Sequence, residues 1–274
     1  MYRFGIAVLL VLLIFGASRR RPGGEVNPKS PVEPLELTHL RAQAEELLRK
    51  GSFSEAANLF ELAWHQAVTE NAWHSSIQCL NSLGGVRQAM FQYQGALEAY
   101  LEAQRIAELW SDSTHVGLTY TNLASVYFQL GDLDSSQMAA DAGLRQSPGH
   151  EDIEYKSQLL RHLGLLCARR QQLPEAFQYF SEAIQAADFA ENNAALVTAW
   201  DNLGEVSLQA GLLSQAERAL QEAYRLRLLF HAPELRHSYL ELSRLRLVQG
   251  DLHSAAVLID RARAMRGNVA GPSS

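Results

Sequence analysis

The 274-residue chain is short of lysine, cysteine and β-branched residues, and it lacks every compact catalytic motif. Three lysines stand beside 21 arginines, a codon-level bias that carries no mechanism. Val, Ile and Thr are sparse while Leu, Ala, Gln and Glu are abundant, which leaves little material for a sheet and favours helix throughout. The nine histidines are scattered, none in an H-x-x-x-H pair with a glutamate. No G-x-S-x-G, no glycine-rich phosphate loop and no paired cysteines occur. The expectation is therefore a protein that is not an enzyme and needs no metal or cofactor. A pI near 5.9 also speaks against nucleic acid as a partner, since no broad basic face can be built from this composition.

What the chain has is repetition. Residues 121–133 read TNLASVYFQLGDL, residues 201–213 read DNLGEVSLQAGLL, and midway between them 161–173 read RHLGLLCARRQQL. The period is 40. One column holds Leu40, Leu80, Tyr120, Leu160, Trp200 and Tyr239, and four residues on stand the small residues Ala44, Gly84, Ala124, Gly164, Gly204 and Ser243. A later pair of columns runs Ala56, Ala96, Ser136, Ala176, Ala216, Ala255 and Phe60, Tyr100, Ala140, Phe180, Leu220, Ile259. The last column is Ala63, Ala103, Gly143, Ala183, Ala223 and Ala262, with a single one-residue deletion before the sixth copy.

Large and small residues three or four apart share one helix face, and a small residue opposite a bulky one lets two antiparallel helices interlock. Each repeat is then a helical hairpin. Its turn carries Gly51, Gly131, Gly211 or Gly250 in four copies, suited to the left-handed end of a helix. Ser54 with Glu55, Asp134, Ser214 and Ser254 are placed to accept the free amides of the second helix. Cys79 and Cys167 fall two repeats apart, too far for a disulfide at about 10 Å between adjacent helices.

On these residues the chain resembles the tetratricopeptide repeats. Trp200, Leu203 and Gly204 match the W-x2-L-G opening, and Tyr120, Leu123, Ala124 and Tyr127 follow it with conservative changes. The 40-residue length departs from the common 34 and is similar to the long repeats of kinesin light chain, the Leu-Gly-Asn adaptors and bacterial arrays that precede caspase-like proteases. The resemblance covers residues 37–266 and implies an all-α, right-handed superhelical solenoid of six antiparallel hairpins, over residues 35–266, with a concave groove lined by first helices.

Such a groove implies a protein- or peptide-binding scaffold or adaptor. The resemblance places Ser82, Asn122, His162 and Asn202 in an inward polar column, where an amide can serve a bound peptide backbone or a neighbouring helix. Arg41, Arg161, Arg169 and Arg244 lie nearby with Leu48, Phe128, Leu165, Leu208 and Leu247. Guanidinium groups beside apolar pockets favour an acidic partner with apolar anchors. The peptide-binding set expected is Asn122, Asn202, His162, Arg161, Arg169, Phe128 and Leu208. Alternative readings are a sensor whose superhelix tightens on a signalling peptide, and an accessory array for a catalytic partner.

The ends carry separate expectations. Residues 1–18 contain an uncharged run, Phe4 to Ala17, too short for the roughly 20 residues of a span and suited to a signal or anchor, although Arg19, Arg20 and Arg21 oppose export. That reads as membrane-tethered or exported, the alternative being a leader on a cytoplasmic protein. Residues 19–34, with four prolines, read as a linker, and 267–274 as a flexible tail. No polar capping helix follows the sixth hairpin, so Val257, Leu258 and Met265 are expected to be exposed and to pair two copies.

Overall fold

The computed structural model describes residues 35–110, 113–146, 153–231 and 235–265. The expected signal or anchor segment, linker and tail lie outside the described residues. Among the described residues the chain forms twelve helices and no strand: α1 (Leu35–Arg49), α2 (Phe53–Thr69), α3 (Trp73–Ala89), α4 (Tyr93–Trp110), α5 (Ser113–Leu130), α6 (Leu133–Gln146), α7 (Ile153–Arg169), α8 (Leu173–Phe189), α9 (Asn193–Gln209), α10 (Leu213–Leu229), α11 (Leu235–Val248) and α12 (Leu252–Ala264). No helix among them is long and apolar enough to cross a membrane.

Each helix packs on the next, giving six antiparallel hairpins in a right-handed superhelix. First helices also touch first helices, α3 on α5, α5 on α7 and α7 on α9, so they form a continuous layer along the array.

The interlock inside a hairpin follows the small and large columns. A Cβ added to Gly84 would lie 2.3 Å from the Tyr100 ring, one on Gly164 2.7 Å from Phe180, and one on Gly204 2.6 Å from Leu220. Tyr100, Phe180 and Leu220 are almost wholly buried, so they fill the space that the glycines leave. The third hairpin has Ala124 opposite Ala140, and the bulk moves elsewhere: Leu159 and Tyr120 close on Gly143, at 2.8 and 2.9 Å from an added Cβ. Ser136 Oγ then donates to the Ala124 carbonyl at 2.7 Å, tying α6 to α5.

Within every hairpin the turn residue is left-handed at the same register. Gly51, Gly131, Gly211 and Gly250 have φ between 74° and 81°, and Phe91 and Gln171 hold φ 60° and 62° at the two equivalent places without glycine. The expected caps shift by a few residues. Asp132 and Asp251, directly after the turn glycines, accept from Ser135 N and Ser254 N at 3.0 Å. Ser254 thus presents its amide, and Asp134 and Ser254 lie inside the first turn, because the second helix starts one residue after the cap. At the far end of the array Val257 is 40% exposed, while Leu258 and Met265 are half-buried.

Neighbouring glycines test the interlock. Gly84→Ala is expected to lower stability by about 1–3 kcal/mol through overpacking against Tyr100. Gly85→Ala, whose added Cβ finds only Tyr100 Oη at 3.8 Å, is expected to be neutral or to gain up to about 1 kcal/mol of helix propensity. Urea unfolding of both variants beside the parent measures the difference, and equal effects at the two positions would dismiss the close approach.

Candidate functional site

The first-helix layer joins its helices through polar side chains as well as apolar ones. Between α3 and α5, Asn122 Nδ2 donates to Asn81 Oδ1 at 3.0 Å, and Asn81 Nδ2 donates to Thr119 Oγ1 at 3.1 Å. One turn or more further along, Gln88 Nε2 donates to Ser125 Oγ and to Gln129 Oε1, both at 2.9 Å, and receives the Tyr100 hydroxyl at 2.9 Å on its Oε1. Asn81 is buried, Asn122 half-buried. Asn122 therefore spends one amide proton on its neighbour and keeps a carboxamide oxygen.

Between α5 and α7 the contact is of another kind: the exposed Arg169 guanidinium lies 5.2 Å from the centre of the half-buried Phe128 ring. A cation over an aromatic face presents a flat surface that is charged above and apolar at its edge.

Between α7 and α9 the register repeats that of α3 and α5, with different residues. Asn202 stands where Asn122 stood, and Arg161 where Asn81 stood. Arg161 Nη2 lies 3.2 Å from His162 Nε2. His162 is 5% exposed, and burial, helped by the Arg161 charge, pushes its pKa down from 6.5 to about 3. A guanidinium can only donate, so the neutral ring accepts at Nε2 and carries its proton on Nδ1. That Nδ1 and Asn202 Nδ2 are two of four buried side-chain polar atoms without a partner among the described residues.

Between α9 and α11 the layer is closed by charge. Arg227 of α10 is 5% exposed and Asp201 of α9 7%. Arg227 Nη1 donates to Asp201 Oδ1 at 2.9 Å and to Ser238 Oγ at 2.7 Å, while Nη2 takes the other carboxylate oxygen. Arg244 reaches Glu241 at 2.8 Å and Glu205 at 3.9 Å.

The structure thus brings Arg161 to His162 and Phe128 to Arg169, ties Asn122 to Asn81, and leaves Asn202 without an acceptor. Leu208 is a correction. It is 8% exposed and packs against Leu220, Leu242 and Leu245 between the fifth and sixth hairpins, because its phase on α9 turns it into the core. Ser82 also yields its place in the polar column to Asn81, one residue earlier, whose longer amide spans to the next helix. Asp201, Arg227 and Ser238 were missed. The available signal was a carboxylate in a helix column that holds Arg41, Asn81, Thr121 and Arg161 in the earlier copies.

A cavity of about 360 Å³ at the first turn, lined by Gly51, Ser52, Phe53, Ser54, Glu55 and Met90, contains none of these residues. Among the described residues no group of three His, Cys, Asp or Glu side chains could hold a metal ion. Cys79 is buried and Cys167 half-buried, and no disulfide joins them.

Two outcomes test the buried groups. Asp201→Ala should cost about 3–5 kcal/mol, since it strands the buried Arg227 charge, whereas the double change Asp201→Leu with Arg227→Leu should fall close to the parent. A single variant no worse than the double would remove the pair from the account. For His162 the folded pKa lies below the unfolded 6.5, so the unfolded chain binds the extra proton and stability falls as pH drops below 6.5 toward 3. The loss reaches about 2 kcal/mol by pH 5. Urea midpoints at pH 7 and 5 should draw closer together in His162→Asn; an unchanged difference would reject this source.

Residues 75–146 and 155–228 match the tetratricopeptide repeat model, more than half of the chain. No curated protein matches the sequence. Several solved structures share the fold. BtubC (BKLC) from P. vanneervenii is 19% identical with a TM-score of 0.63, covering 88% of this chain and 95% of its own. The apo form of RapI is 14% identical with a TM-score of 0.68, covering 88% and 86%. A Rap protein complexed with competence and sporulation factor is 17% identical with a TM-score of 0.63, covering 87% and 66%. The hairpin interlock, the 40-residue register and the matched residues agree: the chain belongs to the tetratricopeptide repeat family.

Proposed function

We propose that the protein is a scaffold that binds a protein or peptide segment along its first-helix layer. The observation that carries this reading is the shelf formed by Phe128 and Arg169, an aromatic ring under an exposed cation on adjoining first helices. Aromatic and arginine side chains on a continuous surface are the residues that most often dominate binding energy. Asn122 adds a carboxamide oxygen on the same layer for a backbone amide of the partner. The layer runs through at least four hairpins, which suits an extended partner over a compact one. The Rap protein solved with competence and sporulation factor shares this fold and supports the reading.

The sensor reading is favoured by the polar seams between first helices, which can be remade at a different spacing when a partner replaces them. It differs in one measurable respect. A sensor compacts on binding and a scaffold keeps its pitch.

Peptides selected by display against the full chain provide the test. Phe128→Ala combined with Arg169→Ala is expected to weaken a selected peptide at least tenfold, about 1.4 kcal/mol or more, with helix content unchanged by circular dichroism. Unchanged affinity would move the binding face elsewhere. Small-angle scattering of the same complex decides between scaffold and sensor, since only a sensor shrinks its radius of gyration.

A further inference from the structure

Each inner hairpin buries one set of side chains against its predecessor and another against its successor. Leu203 and Val206 of α9 pack on Ala176 and Phe180 of the fourth hairpin, and Leu242 and Leu245 of α11 pack on Leu208, Ala216 and Leu220 of the fifth. In the fifth hairpin the successor-facing set therefore includes Leu208 and Leu220, both buried, with the half-buried Leu213 beside them.

The two ends of the described array finish these sets differently. In the predecessor-facing columns, where later copies hold the buried pairs Leu83 and Val86, Leu123 and Val126, or Leu203 and Val206, the first hairpin has Gln43 and Glu46. Gln43 is exposed beside His39, and the Glu46 carboxylate pairs with Arg49 and Lys50. That end is polar. The sixth hairpin instead keeps an apolar outer set: with the 39-residue step into the last copy, Leu208, Leu213 and Leu220 become Leu247, Leu252 and Ile259. Leu208 is 8% exposed but Leu247 48%, Leu213 is half-buried but Leu252 69% exposed, and Leu220 is buried but Ile259 only half-buried. The register is kept, and among the described residues no hairpin covers it. Val257 lies on a different face, in the column of the exposed Met138, Gln178 and Arg218, and Leu258 is turned toward the fifth hairpin.

We propose that Leu247, Leu252 and Ile259 form a pairing surface for the sixth hairpin of a second copy, the two meeting across a twofold axis. The surface continues the contact by which the hairpins stack on one another, so its occupant must bring apolar helix faces to that register. A first hairpin from another copy would set Gln43 and Glu46 on these leucines, burying an amide and a carboxylate without partners. A second sixth hairpin sets leucine on leucine. The charge at the rim also suits a symmetric pair: Arg263 stands where the fifth hairpin has Tyr224 and lies 3.4 Å from Asp260, both exposed. Each copy thus brings one cation and one anion, which a twofold can set across from each other. Such a pair carries two first-helix layers and can hold a two-site partner with both. That consequence rests on the proposed binding face, whereas the pairing does not.

Light scattering of the full chain at micromolar concentration is expected to give twice the 30.4 kDa of one copy. Leu247→Glu with Leu252→Glu should halve that mass, while Val257→Glu, the same charge on the other face of α12, should leave it unchanged; circular dichroism checks that the variants stay helical. A monomeric parent, a pair that survives the double change, or a pair lost equally in Val257→Glu overturns the proposal. Should the double variant lose its helix, a second measurement decides, with a photo-crosslinking residue at position 252 in a mixture of ¹⁵N-labelled and unlabelled chains. Links between labelled and unlabelled chains are expected to join residue 252 to α11 and α12. Links to α1 or α2 of the other copy would overturn the symmetric pair in favour of head-to-tail stacking, and links confined to one chain would assign the cover to that chain's own residues.

Discussion

Close approach of two helices within each hairpin governs everything built on it. Gly84, Gly164 and Gly204 bring the backbone of the first helix against the side chains of Tyr100, Phe180 and Leu220 on the second, with no room for a methyl group between them. That contact sets the interhelical distance, and a fixed distance repeated every 40 residues sets the rise of the whole array. The third hairpin shows that the constraint is on filled volume and not on particular residues. Ala124 and Ala140 are both small, and Tyr120 and Leu159 supply the missing bulk around Gly143. Interiors tolerate such exchanges when total volume is preserved.

The turns obey the same economy of geometry. Phe91 N bonds to the Gln88 carbonyl at 3.0 Å and Gln92 N to the Arg87 carbonyl at 2.8 Å, the pattern that Gly131 N and Asp132 N make with Phe128 and Tyr127. A left-handed phenylalanine is unfavourable locally. It persists because the two helices it joins are already positioned by their packing, so the chain reverses there whichever residue occupies the place.

Electrostatics along the array are mostly settled internally. The arginine-rich stretch from Arg225 onward is neutralised by its own surroundings: Arg225 by Glu222, Arg227 by Asp201, Arg244 by Glu241, Arg246 by Glu217, and Arg263 by Asp260, while Arg261 lies over the Tyr239 ring. Against that background Arg161 stands out, because it is more enclosed than most of them and lies by the neutral His162 ring in place of a carboxylate. At its register the earlier copies hold Arg41, Asn81 and Thr121.

Periodicity alone determined the hairpins, their number and their register, because a large residue and a small one must recur at fixed helical spacing for two helices to interlock, and that recurrence is written linearly in the chain. The left-handed turn positions followed from the same period. That Phe128 and Arg169 meet across adjoining first helices was not written in the period. The partners of the polar groups were decided only in three dimensions. Asn81 in place of Ser82, the seating of Leu208 in the core, and the meeting of Asp201 with Arg227 and Ser238 depend on how far a side chain reaches across to a neighbouring helix. A column of residues gives each position's face to within one turn, but one residue of helix is 100° of rotation. Which of two adjacent polar residues bridges to the next hairpin, and which apolar one is buried beneath it, is therefore fixed by the packed distance between helices and not by the period.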